Sequence, residues 1–549
     1  MRRKFIISLI SFVLLDLLVC NAQVDTLTIL HINDTHSCLV PLGPRSPDLK
    51  GTQGGIARAA TVVGKTKMSE PNVLTLHGGD LFIGDLFFNV FYGAAELQIL
   101  NSLGFDAICV GNHEFDLTPE ALVGALQSSF TPDAGIPLLS ANLILEDQSL
   151  TDLKEYIQPC VIKQLGSIKV GITPETNLFS LPTPAVIDTN FIQCAAAMVD
   201  SFQNNNCDVI ICLSHLGSSL DELLVTYIPN IDVIVGAHDH SQFQTPKELT
   251  DPLGGTTYLV QAGAFYQYIG KIILTSENGE MDLLSYELIP LDENIPEEPE
   301  TETAVDGLIT QIEAVYGPVY SQQIGYVTEL FKEVAFLDEI GYKDTPIGNL
   351  VTDAFRWKTG TDIAIQVGGS TSQPLYPGPI VSADVFRVFG YGFNEVNGLG
   401  YRLVTFDITG QDLYTGLEIA LSMTESNDEF LPQVSGMKYS CDLDNDPFSR
   451  IVSIQINDQP LDPQAYYSVT TNEFFKYAQD SLFYIHSTNE YLYENVSEFE
   501  VLVDYIVSLG EPLVPTVEGR IITSLETFED NLLPEAYLLY QNYPNPFNP

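Results

Sequence analysis

Basic side chains are scarce in this sequence: 23 lysines and arginines stand against 72 aspartates and glutamates in 549 residues, a formal charge of −49. Holding a nucleic-acid backbone requires clustered cations that displace counterions, so a duplex partner is excluded. Cysteine is sparse too. None of the eight cysteines falls in a C-x-x-C spacing, which argues against a zinc ribbon and leaves at most a few scattered disulfides. Beyond the N-terminus no apolar run is long enough for a transmembrane span. Histidine occurs only eight times, so the places where it falls carry information.

What is present describes a globular, exported chain. Hydrophobic residues make up 45% of a sequence too long for one core, which predicts two sizeable domains with terminal segments outside them. Arg2, Arg3 and Lys4 precede an apolar run from Phe5 to Val19 and then Cys20-Asn21-Ala22, which reads as a signal peptide over residues 1–22. Val19 disfavours the alternative of a lipid-anchored Cys20. Removing the leader leaves Cys38, Cys109, Cys160, Cys194, Cys207, Cys212 and Cys441, an odd number with one thiol unpaired in a monomer.

Over residues 23–290 short apolar runs alternate with helix-period segments, the pattern of an α/β domain with buried strands. Five runs end alike: LTILHINDTH, NVLTLHGGD, DAICVGNHEFD, DVIICLSHLG and DVIVGAHDH each pass into a turn bearing His, Asp or Asn. Reactive groups of open α/β sheets gather outside the carboxyl ends of strands, so these turns can converge. Five of the eight histidines lie there: His36, His113, His215, His238 and His240. Imidazoles together with carboxylates suit divalent transition ions. Taken singly, Asp34, Asp80 and Asp116 read as turn formers or helix caps; as a set they read as ligands. His31 and His77, on the strand side, are expected to be buried and hydrogen-bonded, and His486 to lie on the surface.

Residues 291–323 read as an acidic, Pro-bearing linker (LDENIPEEPETE) and a connecting helix beginning near Ala304. Residues 324–525 form a second domain with helix-like IGNLVTDAFRWKTG and strand-like YRLVTFDIT, RIVSIQIND and AYYSVTTNEFF. CDLDNDP, from Cys441, lacks the rest of a calcium loop and reads as a solvated turn.

The ordered blocks HINDTH, GGD, GNHEFD, SHLG and GAHDH resemble the signature of the metallophosphoesterase domain of the bacterial 5'-nucleotidase and UDP-sugar hydrolase family. The resemblance implies an α/β fold with an N-terminal four-layer αββα sandwich and a second, α+β, substrate-binding domain. It implies two divalent ions (Zn, Mn, Co or Mg), one held by Asp34, His36, Asp80 and His240, the other by Asp80, Asn112, His215 and His238, with Asp80 as bridge. It implies a catalytic dyad of His113 and Asp116. In the second domain it implies that Phe474 stacks on a nucleobase and Asp480 holds ribose hydroxyls, on a nucleotide or nucleotide-sugar substrate.

The sequence also departs from that family. The expected Asn-Gly-Gly-Gly-Ile-Arg turn is written QVGGST, with Gln366, Gly368, Gly369 and Thr371, and an upstream family arginine falls on Gly341. The expected Pro-Phe-Gly-Asn turn becomes GYGFNEVNG around Phe393 and Asn394. Losing a planar cation weakens recognition of a 5'-phosphate unless Lys343, Arg356 or Arg387 substitutes. Alternatives therefore include a 2',3'-cyclic-nucleotide or other phosphodiester hydrolase, a sulfur-ester hydrolase, and a non-catalytic surface binding module. Over residues 526–549 the YPNPFNP string resembles the opening of a type IX secretion sorting domain, implying that machinery as a partner, a secreted or cell-surface location and a chain continuing past Pro549. The plainer alternatives are a disordered tail and a periplasmic protein.

Overall fold

The computed structural model describes residues 25–177, 184–277, 280–333, 336–337, 341–424, 429–510 and 512–524. The expected leader and the segment resembling a sorting domain lie outside them. The N-terminal domain is built on two sheets whose central strands have both faces buried, which is why those read as continuous apolar runs. In the first sheet the order is Glu280–Pro290, Tyr268–Glu277, Asp25–Ile32, Val73–His77, Ala107–Cys109, Leu138–Leu139 and Ile157–Gln158. From Asp25–Ile32 onward its neighbours run parallel. In the second sheet parallel strands Ile168–Glu175, Val209–Ser214, Val233–Val235 and Thr256–Val260 are flanked by antiparallel edges.

Alternation along each strand explains the layering. Leu27, Ile29, Leu74 and Leu76 of the first sheet share one core with Val170, Ile172, Val209 and Ile211 of the second. Leu30, Ile32 and Ile108 turn the other way, onto Ile56, Val63, Leu97 and Leu126 of outer helices. Ile210, Cys212 and Ile234 likewise pack on Ala195, Val199 and Leu224. The result is the expected αββα order, with helix Ile56–Ser69 outside one sheet and helix Phe191–Asn204 outside the other.

The connecting helix starts earlier than its periodicity suggests. It spans Pro299–Tyr316, because Glu298 caps it by accepting from the Glu300 and Thr301 N–H groups and Pro299 occupies the first helical position. In the second domain a five-stranded sheet runs Pro432–Ser435, Ile363–Val367, Tyr466–Asn472, Arg402–Thr409 and Thr488–Ser497. Helix Pro346–Thr359, capped by Thr345 and closed by Gly360, packs against it. All seven described cysteines are unpaired. No helix among the described residues is long and apolar enough to cross a membrane.

The two domains share a continuous apolar core that includes Leu86 and Phe87 on one side and Val319, Phe386 and Val501 on the other. Charges are buried in the same contact. Arg387 Nε donates to Asp85 at 2.5 Å and Arg387 also donates to Asp384 at 2.9 Å, while Arg45 donates twice to Asp384 at 2.7 Å. Tyr320 donates its hydroxyl proton to Asp85. Arg387 is therefore already committed and is not the phosphate-binding substitute considered above; Arg356 is spent on Thr361 and Ser435. Removing one partner of a buried pair strands the other charge, so Asp85→Ala is expected to destabilise the protein by about 3 kcal/mol, read as a lower denaturant midpoint. A midpoint within error of the parent would show that the pair does not hold the domains together.

Candidate metal centre

All five turns, four bearing histidine and one Asp80, open at the carboxyl ends of their strands. Asp34, His36 and His240 form one group whose ligand atoms all lie within 4.8 Å of one another, and Asp80, His215 and His238 form a second. The groups touch, since His215 Nε2 is 2.9 Å from Asp80 and 3.9 Å from Asp34. His36 Nε2 faces His240 Nε2 at 3.1 Å. Asp34, Asp80, His36 and His215 are buried, while His238 and His240 are partly exposed at the rim.

The backbone is bent to make this possible. Asp34, His36, Asp80, His238 and His240 all have positive φ, between 47° and 83°. Such a conformation is unfavourable for residues with a Cβ and persists where surrounding structure over-determines it, most often at functional sites. Two glycines make room. A Cβ on Gly79 (φ 101°) would come within 2.7 Å of His215 Nδ1, and one on Gly111 within 2.2 Å of an Asp80 oxygen.

Hydrogen bonds aim the ligand atoms. His215 Nδ1 lies 2.8 Å from the Gly78 carbonyl and His36 Nδ1 3.3 Å from that of Phe82, so each Nδ1–H donates there and leaves Nε2 with its lone pair toward the cluster. Asn33 donates to Asp34 at 2.6 Å. His113 N–H donates to Asp80 at 2.9 Å. Glu114 accepts from the Gly111, Asp80 and Leu81 N–H groups and so ties the GGD turn to the GNHEFD turn. Asn177 donates to Asn112, while the Asn112 amide nitrogen is buried without a partner.

Electrostatics favour the cation-binding form at three histidines and at Asp80. Burial, then His240 and His113, push His36 well below the usual imidazole range. Burial likewise lowers His238 to about 3 and His240 to about 4. For Asp80 burial acts in the opposite sense, but His215 and His113 outweigh it and hold the carboxyl well below its ordinary value. Neutral imidazoles around an ionised carboxylate are what a divalent ion requires; His215 is the exception, since burial disfavours its charge but Asp80 raises its pKa to about 10, so an ion must displace its proton. Burial raises Asp34 to about 7, against the opposing pull of His215. Beside the cluster, His113 Nδ1 donates to Asp116 at 2.5 Å. Burial disfavours charge on His113, yet Asp116 and Asp80 raise its pKa to about 9.

The sequence-predicted residues thus come together, with Asn112 reached through Asn177. His77 is buried and hydrogen-bonded, to Thr35 at 3.0 Å and to the Gly79 N–H at 3.1 Å. His31 is a correction: it is buried, but neither ring nitrogen has a hydrogen-bond partner, and the ring stacks on Tyr286. His486 is exposed, and Asp442–Asp446 form an exposed turn. In the second domain Phe474 stacks on Tyr401, ring centroids 5.1 Å apart, a partner the sequence did not suggest. Asp480 is exposed and accepts from Lys476. Gln366 is buried, 3.4 Å from Glu498. Gly368 and Gly369 form a short turn bonded to the carbonyls of Leu431 and Glu429. Asn394 is wholly engaged inside its own loop, with Asn397, Val396 and Gly400. Glu114 could have been noticed because it lies inside GNHEFD. Asn177 follows a strand end without a histidine and gave no signal.

Comparison with known proteins agrees with this geometry. Residues 27–242 match the family model of the calcineurin-like phosphoesterases, and residues 323–485 match that of the 5'-nucleotidase C-terminal domain. The chain is 28% identical over 541 residues to the trifunctional nucleotide phosphoesterase protein of Bacillus subtilis, covering 90% of this chain but only 35% of that protein. It is 27% identical over 550 residues to the snake venom 5'-nucleotidase of Gloydius brevicauda, covering 91% and 89%. The crystal structure of a 5'-nucleotidase precursor from Thermus thermophilus superposes with a TM-score of 0.76 at 28% identity, covering 92% of this chain and all of that one.

Gly111→Ala would drive a methyl group into Asp80 without touching the sheet core. It is expected to lower the bound metal from two ions per chain to one or none, by elemental analysis, with the circular dichroism spectrum unchanged. Two retained ions would show that Asp80 is not placed by this contact.

Proposed function

We propose, from the premise that this chain joins a calcineurin-like phosphoesterase domain to a 5'-nucleotidase C-terminal domain and is a metal-dependent phosphoric ester hydrolase with two divalent ions, that it hydrolyses nucleotides or nucleotide sugars by direct attack of water on phosphorus. The observation that carries this reading is the convergence of two Asp–His–His groups beside the His113–Asp116 pair. Asp34, His36, Asp80 and His240 would hold one ion, and Asp80, Asn112, His215 and His238 the other. When bound, the ions supply Lewis acidity to the phosphoryl oxygens and bring the pKa of a water toward neutrality. Asp, Asn and His donors together accept zinc, manganese, cobalt or magnesium.

The chain's own residues orient and neutralise. Asp116 accepts from His113 Nδ1 and so turns Nε2 outward, where a protonated ring meets the charge that develops on the phosphoryl oxygens. In the second domain Phe474, now paired with Tyr401, offers its face to a base, and Asp480 offers a carboxylate to ribose hydroxyls. Gln366 and the turn Gly368–Gly369 are assigned to the substrate side with them, and Asn394 acts there only through the loop that it holds together. The leader and the YPNPFNP string support export, with type IX passage to the cell surface. A second reading, phosphodiesters such as 2',3'-cyclic nucleotides on the same centre, is favoured by the commitment of Arg356 and Arg387 elsewhere.

Metal-stripped protein refilled with manganese, zinc or cobalt is expected to release an aryl alcohol from an aryl phosphate or phosphodiester, and Asp80→Asn to abolish it. His113→Ala is expected to keep both ions and lose about 10²–10³ in kcat. Full activity in Asp80→Asn would refute the mechanism. A stacked base contributes about 1–3 kcal/mol, so Phe474→Ala is expected to raise the KM of a nucleotide about tenfold and leave that of an aryl ester unchanged. Equal effects on both would remove Phe474 from base recognition.

A further inference from the structure

One side chain of the second domain reaches the histidine cluster, and nothing above uses it. The Tyr391 ring lies flat on His113, centroids 5.0 Å apart at 10°, and meets His36 edge-on at 5.4 Å. It is delivered there by a backbone contact: a Cβ on Gly390 would lie 2.8 Å from the Cα and carbonyl oxygen of Gly84, in the loop that follows GGD. The Tyr391 hydroxyl makes no hydrogen bond to any described residue, and Asp80, Asp34 and Asp116 are near enough to act on it electrostatically. Three arginines of the second domain are spent elsewhere, Arg387 on Asp85 and Asp384, Arg402 on Glu473 and Arg356 on Ser435. Among the described residues no lysine or arginine pairs with Asp34, Asp80 or Asp116.

We infer that Tyr391 is a specificity-determining residue whose phenol O–H donates to a phosphoryl oxygen, and that this neutral donor suits the centre to singly charged phosphodiesters over doubly charged phosphomonoesters. The inference rests on the phosphoesterase reading above. A guanidinium would offset the second negative charge of a monoester and supply a fork of donors; a phenol supplies one donor and no charge. Beyond the ions and His113, which serve either ester, no described arginine or lysine pairs with the cluster's carboxylates to meet that extra charge, whereas a diester does not carry it. Hydrolysis of the diester forms one P–O bond to the water oxygen and breaks one to the leaving oxygen, which takes the proton the water gives up; no other reactant is consumed.

The full chain reconstituted with manganese is assayed on bis(4-nitrophenyl) phosphate and 4-nitrophenyl phosphate, and calorimetry measures its binding of dimethyl phosphate. A diester kcat/KM at least tenfold above that of the monoester is expected. Tyr391→Phe keeps the ring and its stacking. It is expected to hold two ions, lose at least tenfold on the diester, lose less on the monoester and bind dimethyl phosphate at least fivefold more weakly. A preference for the monoester, or a Tyr391→Phe protein equal to the parent or equally impaired on both esters, overturns the inference. A fall seen only in Tyr391→Ala also overturns it, since packing alone would explain that. If the parent cleaves neither ester, the phosphoesterase reading itself fails and takes this inference with it.

Discussion

Everything in this molecule answers to one electrostatic constraint: two buried carboxylates and a set of buried or half-buried imidazoles are held within a few ångströms of one another. Without cations between them the arrangement is unfavourable, as the upward shift of Asp34 and the downward shifts of His36, His238 and His240 show from opposite sides. Asp34, His36, Asp80, His238 and His240 also sit in a backbone conformation costing about 1–3 kcal/mol each. A loop alone could not sustain that. Two facing sheets with both faces buried can, because the strands that launch the turns cannot shift register without moving apolar side chains out of three cores at once.

The second domain extends the same logic. Asp85 follows the GGD turn closely, and it is the residue on which Arg387 and Tyr320 converge. The contact that fixes the domains therefore begins five residues from Asp80, so the placement of the ligand turn and the placement of Tyr391 are mechanically linked. Glu498 does a comparable job on the other side. It accepts from the Tyr401 N–H at 2.9 Å and from Asn472 at 3.0 Å, and so sets the ring that stacks on Phe474.

The ligands were legible in sequence for a local reason. A buried strand that stops at a His- or Asp-bearing turn leaves its mark in ten consecutive residues, and five such marks in order are hard to produce otherwise. What escaped reading is defined by distance along the chain. Tyr391 lies 278 positions from His113, and Tyr401 meets Phe474 only because two strands pair; neither contact alters the pattern around the residues themselves. Arg387 illustrates the reverse error: a lone arginine in an apolar helix resembled a free cation, and it is the most deeply paired charge between the domains. The helix at Pro299 was placed late because its cap is a glutamate within an acidic run, where composition suggested linker.

A chain of charge −49 that handles phosphate esters presents a contradiction that resolves by range. Beyond a Debye length of about 8 Å in physiological salt the repulsion is largely screened, so an anion can approach. Inside the centre the local sign would be set by the ions that the two Asp–His–His groups can hold and by His113, not by the surface. The residual field then acts unequally on the two ends of the reaction. Cleaving a diester turns a singly charged substrate into a doubly charged monoester, and the acidic surround that admits the first repels the second more strongly. A site with a phenol rather than a guanidinium has no extra cation to retain that product, so the scarcity of basic residues favours release as well as selection.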